Sequence, residues 1–561
     1  MSSENADAHA RSAGEPISSH KKRLFTILTL LVPLLLFAVL EATLRLAQYG
    51  PDLSVFQSRT VDGKVWYSMN PAVKARYFPQ SEHAGSSSPD LFEHPKPHGT
   101  FRIFCLGGST TVGFPYWYNA SFPTLLRERL HTVFPRKTIE VINLGMTATN
   151  SFTVLDLAHE LPNLEPDLLI VYDGHNEFYG ALGVASRETP LGSRWLTLLY
   201  LRLIHSRLFL LLRDGYQNIR GLINHSPDHP VRGITMESLA RGKTIPYGSR
   251  QYREALSVFE ANLGDLRDLC RDHHIPLLLS TQVSNLRGRP PFVSRRSDQL
   301  RSENTSAIDS LLSAGEGFLK DHEWESALEE FRKVSQLDPL HAGTHFAIAC
   351  CLDVLQRRED ARQEYIRARD DDQLRFRTSS DFNEVILRMD NSATAGVVDM
   401  ERVFMAHSPD SLIGNELVLD HLHPTAYGSF LMAKGFATVM RQRALLAPPV
   451  EWAHNDTIAD VSIWDERPIT ELDERIAARR TEILTAGWPF SQMETPPSPL
   501  VPDDTLAHIA QRFIDGRCGW VNAHKDAAAY YAGIGDRVRS EREYRVLENQ
   551  VREQMQLQLL R

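Results

Sequence analysis

The chain has 561 residues, more than one compact core accommodates, so two or three domains are expected. Its 42% apolar and 23% charged residues are ordinary for a globular protein. A net charge of -9 excludes a dedicated nucleic-acid binder, and five cysteines exclude a disulfide framework. No CxxC or HExxH pattern occurs, so no metal and no cofactor is expected.

Residues 1–20 are polar and read as a disordered tail. Lys21-Lys22-Arg23 then precedes Leu24–Leu40, seventeen residues without a charge, closed by Glu41 and Arg45. At about 1.5 Å per residue such a run spans roughly 26 Å, enough for a bilayer core. The basic cluster predicts a single-pass membrane anchor with its N-terminus cytoplasmic and the remainder exported. A cleaved signal peptide is the rival reading. Residues 42–96 read as a stalk.

Regular alternation begins near Gly99. Strands are expected at Phe101–Leu106, Thr138–Leu144, Asp167–Tyr172 and Ile275–Val283, and helices at Ser121–Phe134, Ser151–Leu161 and Gln251–Asp272. This spacing predicts a doubly wound parallel α/β sheet. Trp195 to Arg213 is apolar but interrupted by Arg202, His205 and Arg207, so a membrane span is not expected. It reads as a helix packed on the core, with a membrane-surface helix or a lid over an acyl pocket as alternatives.

Ala327-x-x-x-Phe331 recurs as Ala361-x-x-x-Tyr365, a period of 34 residues. This resembles the tetratricopeptide repeat, in which antiparallel helices pack through small and aromatic positions. A weaker echo comprises Ala528, Tyr531, Ser540 and Tyr544. The repeats could take a protein partner.

Two segments more than 300 residues apart carry the chemistry. Gly107-Gly108-Ser109-Thr110 follows an apolar strand, which places a serine hydroxyl on a glycine turn. Asp420-His421-Leu422-His423-Pro424 supplies a base and its orienter: His423 to take the Ser109 proton, and Asp420, one helical turn earlier, to hold the imidazole. His421 should face elsewhere. Oxyanion donors are offered at two strand ends, by the Gly145 amide and the Asn176 side chain.

These blocks resemble the SGNH hydrolases of the GDSL esterase/lipase superfamily. They comprise Gly107-Gly108-Ser109-Thr110, Gly145, Gly174-His175-Asn176-Glu177 and Asp420-His421-Leu422-His423-Pro424. The resemblance implies a flavodoxin-like three-layer fold and a catalytic triad of Ser109, Asp420 and His423. It implies an oxyanion hole of Ser109, Gly145 and Asn176. Gly108 and Glu177 depart from the family's Gly-Asp-Ser and Gly-x-Asn-Asp patterns, so the substrate class does not carry over.

The expected order is a tail over 1–23, an anchor over 24–41 and a stalk over 42–97. A hydrolase domain follows in two parts, 98–300 and 376–445, around a repeat insertion at 301–375, with a helical region at 446–561. The function read is a membrane-anchored extracytoplasmic serine esterase that cleaves acyl or acetyl esters. An acyltransferase modifying a cell-envelope glycan or lipid, or a non-catalytic repeat scaffold, are the alternatives.

Overall fold

The computed structural model describes residues 19–78, 90–186, 193–223, 236–296, 302–391, 394–491 and 497–558. The expected disordered tail lies almost wholly outside them. The chain divides into two compact units, Met1–Asp52 with Leu199–Asp228, and Leu53–Leu198 with His229–Arg561.

The first unit contains helix α1 (Ser19–Leu46). Its segment Phe25–Leu46, 22 residues of mean hydropathy 2.4, is long and apolar enough to cross a membrane.

The second unit opens with three antiparallel strands, β1 (Phe56–Val61), β2 (Lys64–Met69) and β3 (Leu91–Glu93). Residues 53–78 and 90–97 of the expected stalk are therefore folded against the α/β core. Phe92 meets the Phe104 ring edge-on at 5.3 Å. The fully buried Arg76 donates to Asp156 at 2.9 Å and Glu160 at 2.7 Å. Scattered aromatics with Pro and Ser read as a linker because the surface they bury belongs to elements far along the chain.

The main sheet follows: β4 (Thr100–Gly107), β5 (Thr138–Asn143), β6 (Leu168–Tyr172), β7 (Leu277–Ser280) and β8 (Ala395–Val398). All pairs are parallel in the order β5-β4-β6-β7-β8, which is the doubly wound arrangement. β4 is buried almost throughout, which is why it reads as a continuous apolar run. Its one cation, Arg102, is satisfied by Glu140 at 2.5 Å and by the Leu164 and Glu93 carbonyls.

The crossovers carry α2 (Ser109–Val112), α3 (Phe122–Val133) and α4 (Ser151–Ala158). Next come α5 (Arg194–Leu203), α6 (Arg207–Ile223), α7 (Met236–Ala240) and α8 (Arg250–Asp272). The stretch Trp195 to Arg213, expected as one helix, is thus two, bent by 115° at the break. Ser206 caps α6 at the break, accepting from the Phe209 N–H.

Between β7 and β8 stand α9 (Ser302–Lys320), α10 (Trp324–Leu337), α11 (Ala342–Val354) and α12 (Arg358–Asp371). Ala327, Phe331, Ala361 and Tyr365 lie in one buried cluster, joined by Leu286 and Leu412 of the α/β unit. A Cβ at Gly315 would come within 2.7 Å of the Phe331 ring, so a small residue is required there.

The chain then forms α13 (Ser380–Arg388), α14 (Met400–His407), α15 (Ala426–Gln442), α16 (Pro449–Asn455) and α17 (Asp460–Asp465). It ends in α18 (Glu471–Thr485), α19 (Thr505–Ile514), α20 (Trp520–Gly533) and α21 (Arg537–Gln558). Ala528, Tyr531 and Ser540 are buried in this region, but Tyr544 is exposed. The echo therefore fails at its last position.

A buried ionic cluster ties α18, α20 and α21 together. His524 Nδ1 lies 2.5 Å from Glu543, and Nε2 lies 3.4 Å from Asp473. Burial alone would lower the His524 pKa, but Asp473 and Glu543 outweigh it and raise it from 6.5 to about 9. A histidine raised in the folded state stabilises fully below its unfolded pKa of 6.5, and that contribution disappears as pH rises through about 9. Stability measured by denaturant melts should therefore fall across that window. His524→Gln should flatten the dependence; a pH profile unchanged by the substitution would exclude this linkage.

Candidate active site

The Ser109 turn, the 145–150 loop and the 173–177 turn all leave the carboxyl ends of β4, β5 and β6, where a doubly wound sheet presents its crevice. Gly107, opposite Tyr172 in the ladder, ends β4. Gly108 is the extended N-cap of α2, and Ser109 is its first residue. The short helix closes at Gly113, whose φ of 103 permits the reversal.

Ser109 Oγ lies 2.8 Å from His423 Nε2. His423 Nδ1 lies 2.6 Å from Asp420 Oδ2. With Nδ1–H donated to the carboxylate, Nε2 is left to accept the Ser109 proton. Phe114 packs edge-on against the imidazole, with ring centroids 4.7 Å apart.

The Asp420–His423 segment is a tight turn rather than the helical turn expected from its spacing. Asp420 Oδ1 accepts from the Leu422 and His423 N–H groups at 2.8 and 2.9 Å, and Val418 bridges to Pro424. Asp420 is fully buried. Burial alone would raise its pKa, but the His423 and His421 imidazoles outweigh it and hold the carboxyl well below its usual range. Asp420, His421 and His423 offer donor atoms within 4.8 Å of one another, as a metal site would. Both Asp420 oxygens are already occupied by N–H donors of this turn.

His421 is walled by Phe292, Phe376 and Phe490. The loop Arg287–Phe292 therefore borders the triad turn. Arg377 fixes it by donating to the Asn285 and Arg289 carbonyls at 3.1 and 2.9 Å, and Asp372 accepts from the Phe292 N–H at 2.8 Å.

The Asn176 amide lies over the Ser109 turn: a Cβ at Gly108 would sit 3.2 Å from its Nδ2. A side chain in place of Gly108 would press on that amide. Glu177 has a structural task. Its carboxylate accepts from the Ser151 N–H at 2.8 Å and the Ser151 hydroxyl at 2.7 Å, at the start of α4. Burial and the Glu177 charge push its neighbour Asp173 well above the usual carboxylate range. His175 is kept neutral, chiefly by burial, and its Nδ1 accepts from the Thr378 N–H at 3.2 Å.

Gly145 is the expectation that changes. Its N–H donates to Asn143 Oδ1 at 2.9 Å, so the amide is already engaged. Glycine is needed there for space, because a Cβ would lie 2.7 Å from the Val112 nitrogen. Ala148, three residues on, has a left-handed φ of 59. Its carbonyl accepts from the Ala181 N–H at 2.9 Å, and its own N–H has no acceptor among the described residues. Alanine gives no sequence signal of a left-handed turn, which glycine usually supplies.

No family model and no curated protein matches the sequence. Among solved structures, the chain is similar to a lipolytic protein of the G-D-S-L family from Desulfitobacterium hafniense DCB-2. That match has 11% identity and a TM-score of 0.27, covering 60% of this chain and 98% of that one. It is similar to an acetyl xylan esterase, at 10% identity and a TM-score of 0.27, over 60% of this chain and 99% of that one. It is also similar to a GDSL-like lipase from Bacteroides thetaiotaomicron VPI-5482, at 10% identity and a TM-score of 0.26, over 61% and 88%.

Proposed function

We propose that the chain is a serine esterase that cleaves carboxylic esters through an acyl-serine intermediate. The observation that carries this reading is the relay Ser109–His423–Asp420, at 2.8 and 2.6 Å, assembled from residues 314 positions apart. No packing requirement brings a hydroxyl, an imidazole and a buried ionised carboxylate into line in this way.

In the first step Ser109 Oγ attacks the ester carbonyl while its proton passes to His423 Nε2. The imidazolium that forms is stabilised by Asp420. Negative charge develops on the carbonyl oxygen, and the proposed donors to it are the Ser109 N–H, the Ala148 N–H and Asn176 Nδ2–H. Each such donor is worth about 10²–10³ in kcat. Collapse expels the alcohol, which takes the proton from His423. His423 then deprotonates water for attack on the acyl-serine, and the acid leaves.

The apolar segment Phe25–Leu46 supports a membrane anchor. With Lys21-Lys22-Arg23 before it, the proposed orientation leaves the N-terminus cytoplasmic and the triad extracytoplasmic.

A fluorophosphonate probe should label the full-length protein in detergent on Ser109, as read by peptide mass, and short-chain p-nitrophenyl esters should be turned over. Labelling at another residue, or no turnover of any such ester, would overturn the proposal.

A further inference from the structure

Helix α6 starts on the last turns of α1. The Glu41 carboxylate accepts from the Ser206 hydroxyl at 2.8 Å and from the Arg207 and Leu208 N–H groups at 3.1 and 2.8 Å. Arg45 donates to the His205 carbonyl at 3.0 Å, and Arg207 donates to the Pro51 carbonyl. A carboxylate from one helix thus satisfies the open amides at the N-terminus of the other.

Beyond this lock, α6 buries Leu210 but exposes Leu212, Tyr216 and Ile219 at 63, 64 and 59%. Spaced i, i+4 and i+7, these three share one face. Asp214, near the opposite face, is paired with Arg213 and accepts from the Tyr49 hydroxyl. Leu199 and Leu203 of α5 are also exposed, one turn apart, and Trp195 continues their row. Large apolar side chains aligned in this way forgo about 1.5–3 kcal/mol each when left in water.

Together α5 and α6 are apolar enough for a membrane span, but the 115° bend excludes a straight crossing. Arg202, His205 and Arg207 stand at that bend. An amphipathic helix with cations at its edge suits the plane of a bilayer surface.

We propose that α6, with the adjoining turn of α5, lies in the headgroup–acyl boundary of the leaflet that α1 enters, with Leu212, Tyr216 and Ile219 among the acyl chains. The bilayer is the occupant because α6 is hydrogen-bonded to the end of the one described helix that suits a membrane. This rests on reading α1 as a membrane anchor. The hairpin then adds a second attachment and restricts rotation about the anchor.

The test uses the full chain with Cys350 and Cys518 changed to Ala, the other three cysteines being buried. Single cysteines at Tyr216, Ile219, Leu35 of α1 and the exposed Glu329 of α10 carry an environment-sensitive fluorophore. The protein is reconstituted in phosphatidylcholine–phosphatidylglycerol vesicles with nitroxide lipids. Labels at 216 and 219 should be quenched about twofold or more by a nitroxide near the headgroup, and less by one at the chain end. The label at 35 should respond most to the deep nitroxide, and the label at 329 to neither. Quenching at 35 with 216 and 219 behaving like 329 would overturn the α6 proposal and leave the anchor standing. No quenching at 35 would overturn the anchor reading itself. Labels at 216 and 219 shielded from both lipid nitroxide and aqueous iodide would show a protein surface covering the stripe, which also overturns the proposal.

Discussion

Ser109→Ala is expected to lower kcat for p-nitrophenyl acetate by about 10⁴-fold or more. The loss is large because the hydroxyl is the group proposed to form the acyl intermediate, and without it His423 and Asp420 are left with nothing to activate. What survives is the contribution of binding and oxyanion donors to direct attack by water. Asp420→Asn should act through the tautomer: an amide cannot hold Nδ1–H as the carboxylate does, and Nε2 then carries the proton. Asp420 also accepts from two backbone N–H groups of its own turn, so its removal loosens the loop that presents His423. Ser109→Ala and Ser109→Ala/Asp420→Asn should therefore have nearly the same kcat. Turnover by Ser109→Ala within about tenfold of wild type would remove Ser109 from the mechanism.

Gly107→Ala should destabilise the second unit by about 3 kcal/mol or more in urea melts. An added Cβ would lie 2.1 Å from the Tyr172 carbonyl oxygen and 2.3 Å from Thr111 Oγ1. The backbone there has φ of 151, at the edge of the region that side chains avoid. Neither neighbour can withdraw cheaply: Tyr172 is in register with Gly107 in the sheet, and Thr111 is fully buried in α2. Gly264→Ala in α8 is the control. Its Cβ would meet nothing within 4 Å, so helix propensity alone should stabilise by about 0.5–1 kcal/mol. Equal and small effects at both positions would contradict the close approach of β4 and β6.

Four strands of the sheet were legible because they are buried on both faces and hence written as apolar runs; the short edge strand Ala395–Val398 was not foreseen. Leu168–Tyr172 differs by one residue from the expected Asp167–Tyr172. β7 is shorter than expected, since Thr281–Val283 remains buried but leaves the ladder, with the Val283 N–H donated to the Tyr172 hydroxyl. Side-chain capping was harder to read. The Asp420 turn, the Ser206 break and the Glu41 cap of α6 each depend on one polar side chain choosing a backbone amide. Periodicity carries no record of that choice. Ala148 was hidden for a related reason: its left-handed backbone is imposed by surroundings that include Ala181 and Gly180, not by its own preference. The early antiparallel strands were missed because their burial depends on partners such as Phe104, which the local pattern does not contain.

The placement of α9–α12 between β7 and β8 has a consequence for the order of folding. Those four helices make local contacts and can form quickly, whereas β8 must find β7 across all of them. The His423 turn comes later still, so the proposed nucleophile is synthesised some 314 residues before its proposed base. A partly made chain therefore carries Ser109 as an inert hydroxyl. Reactivity appears only when the closing strand has docked and the long loop has been drawn shut. On the proposed mechanism, the first turnover marks completion of the fold, and the unfinished chain is chemically silent toward esters it meets on the way.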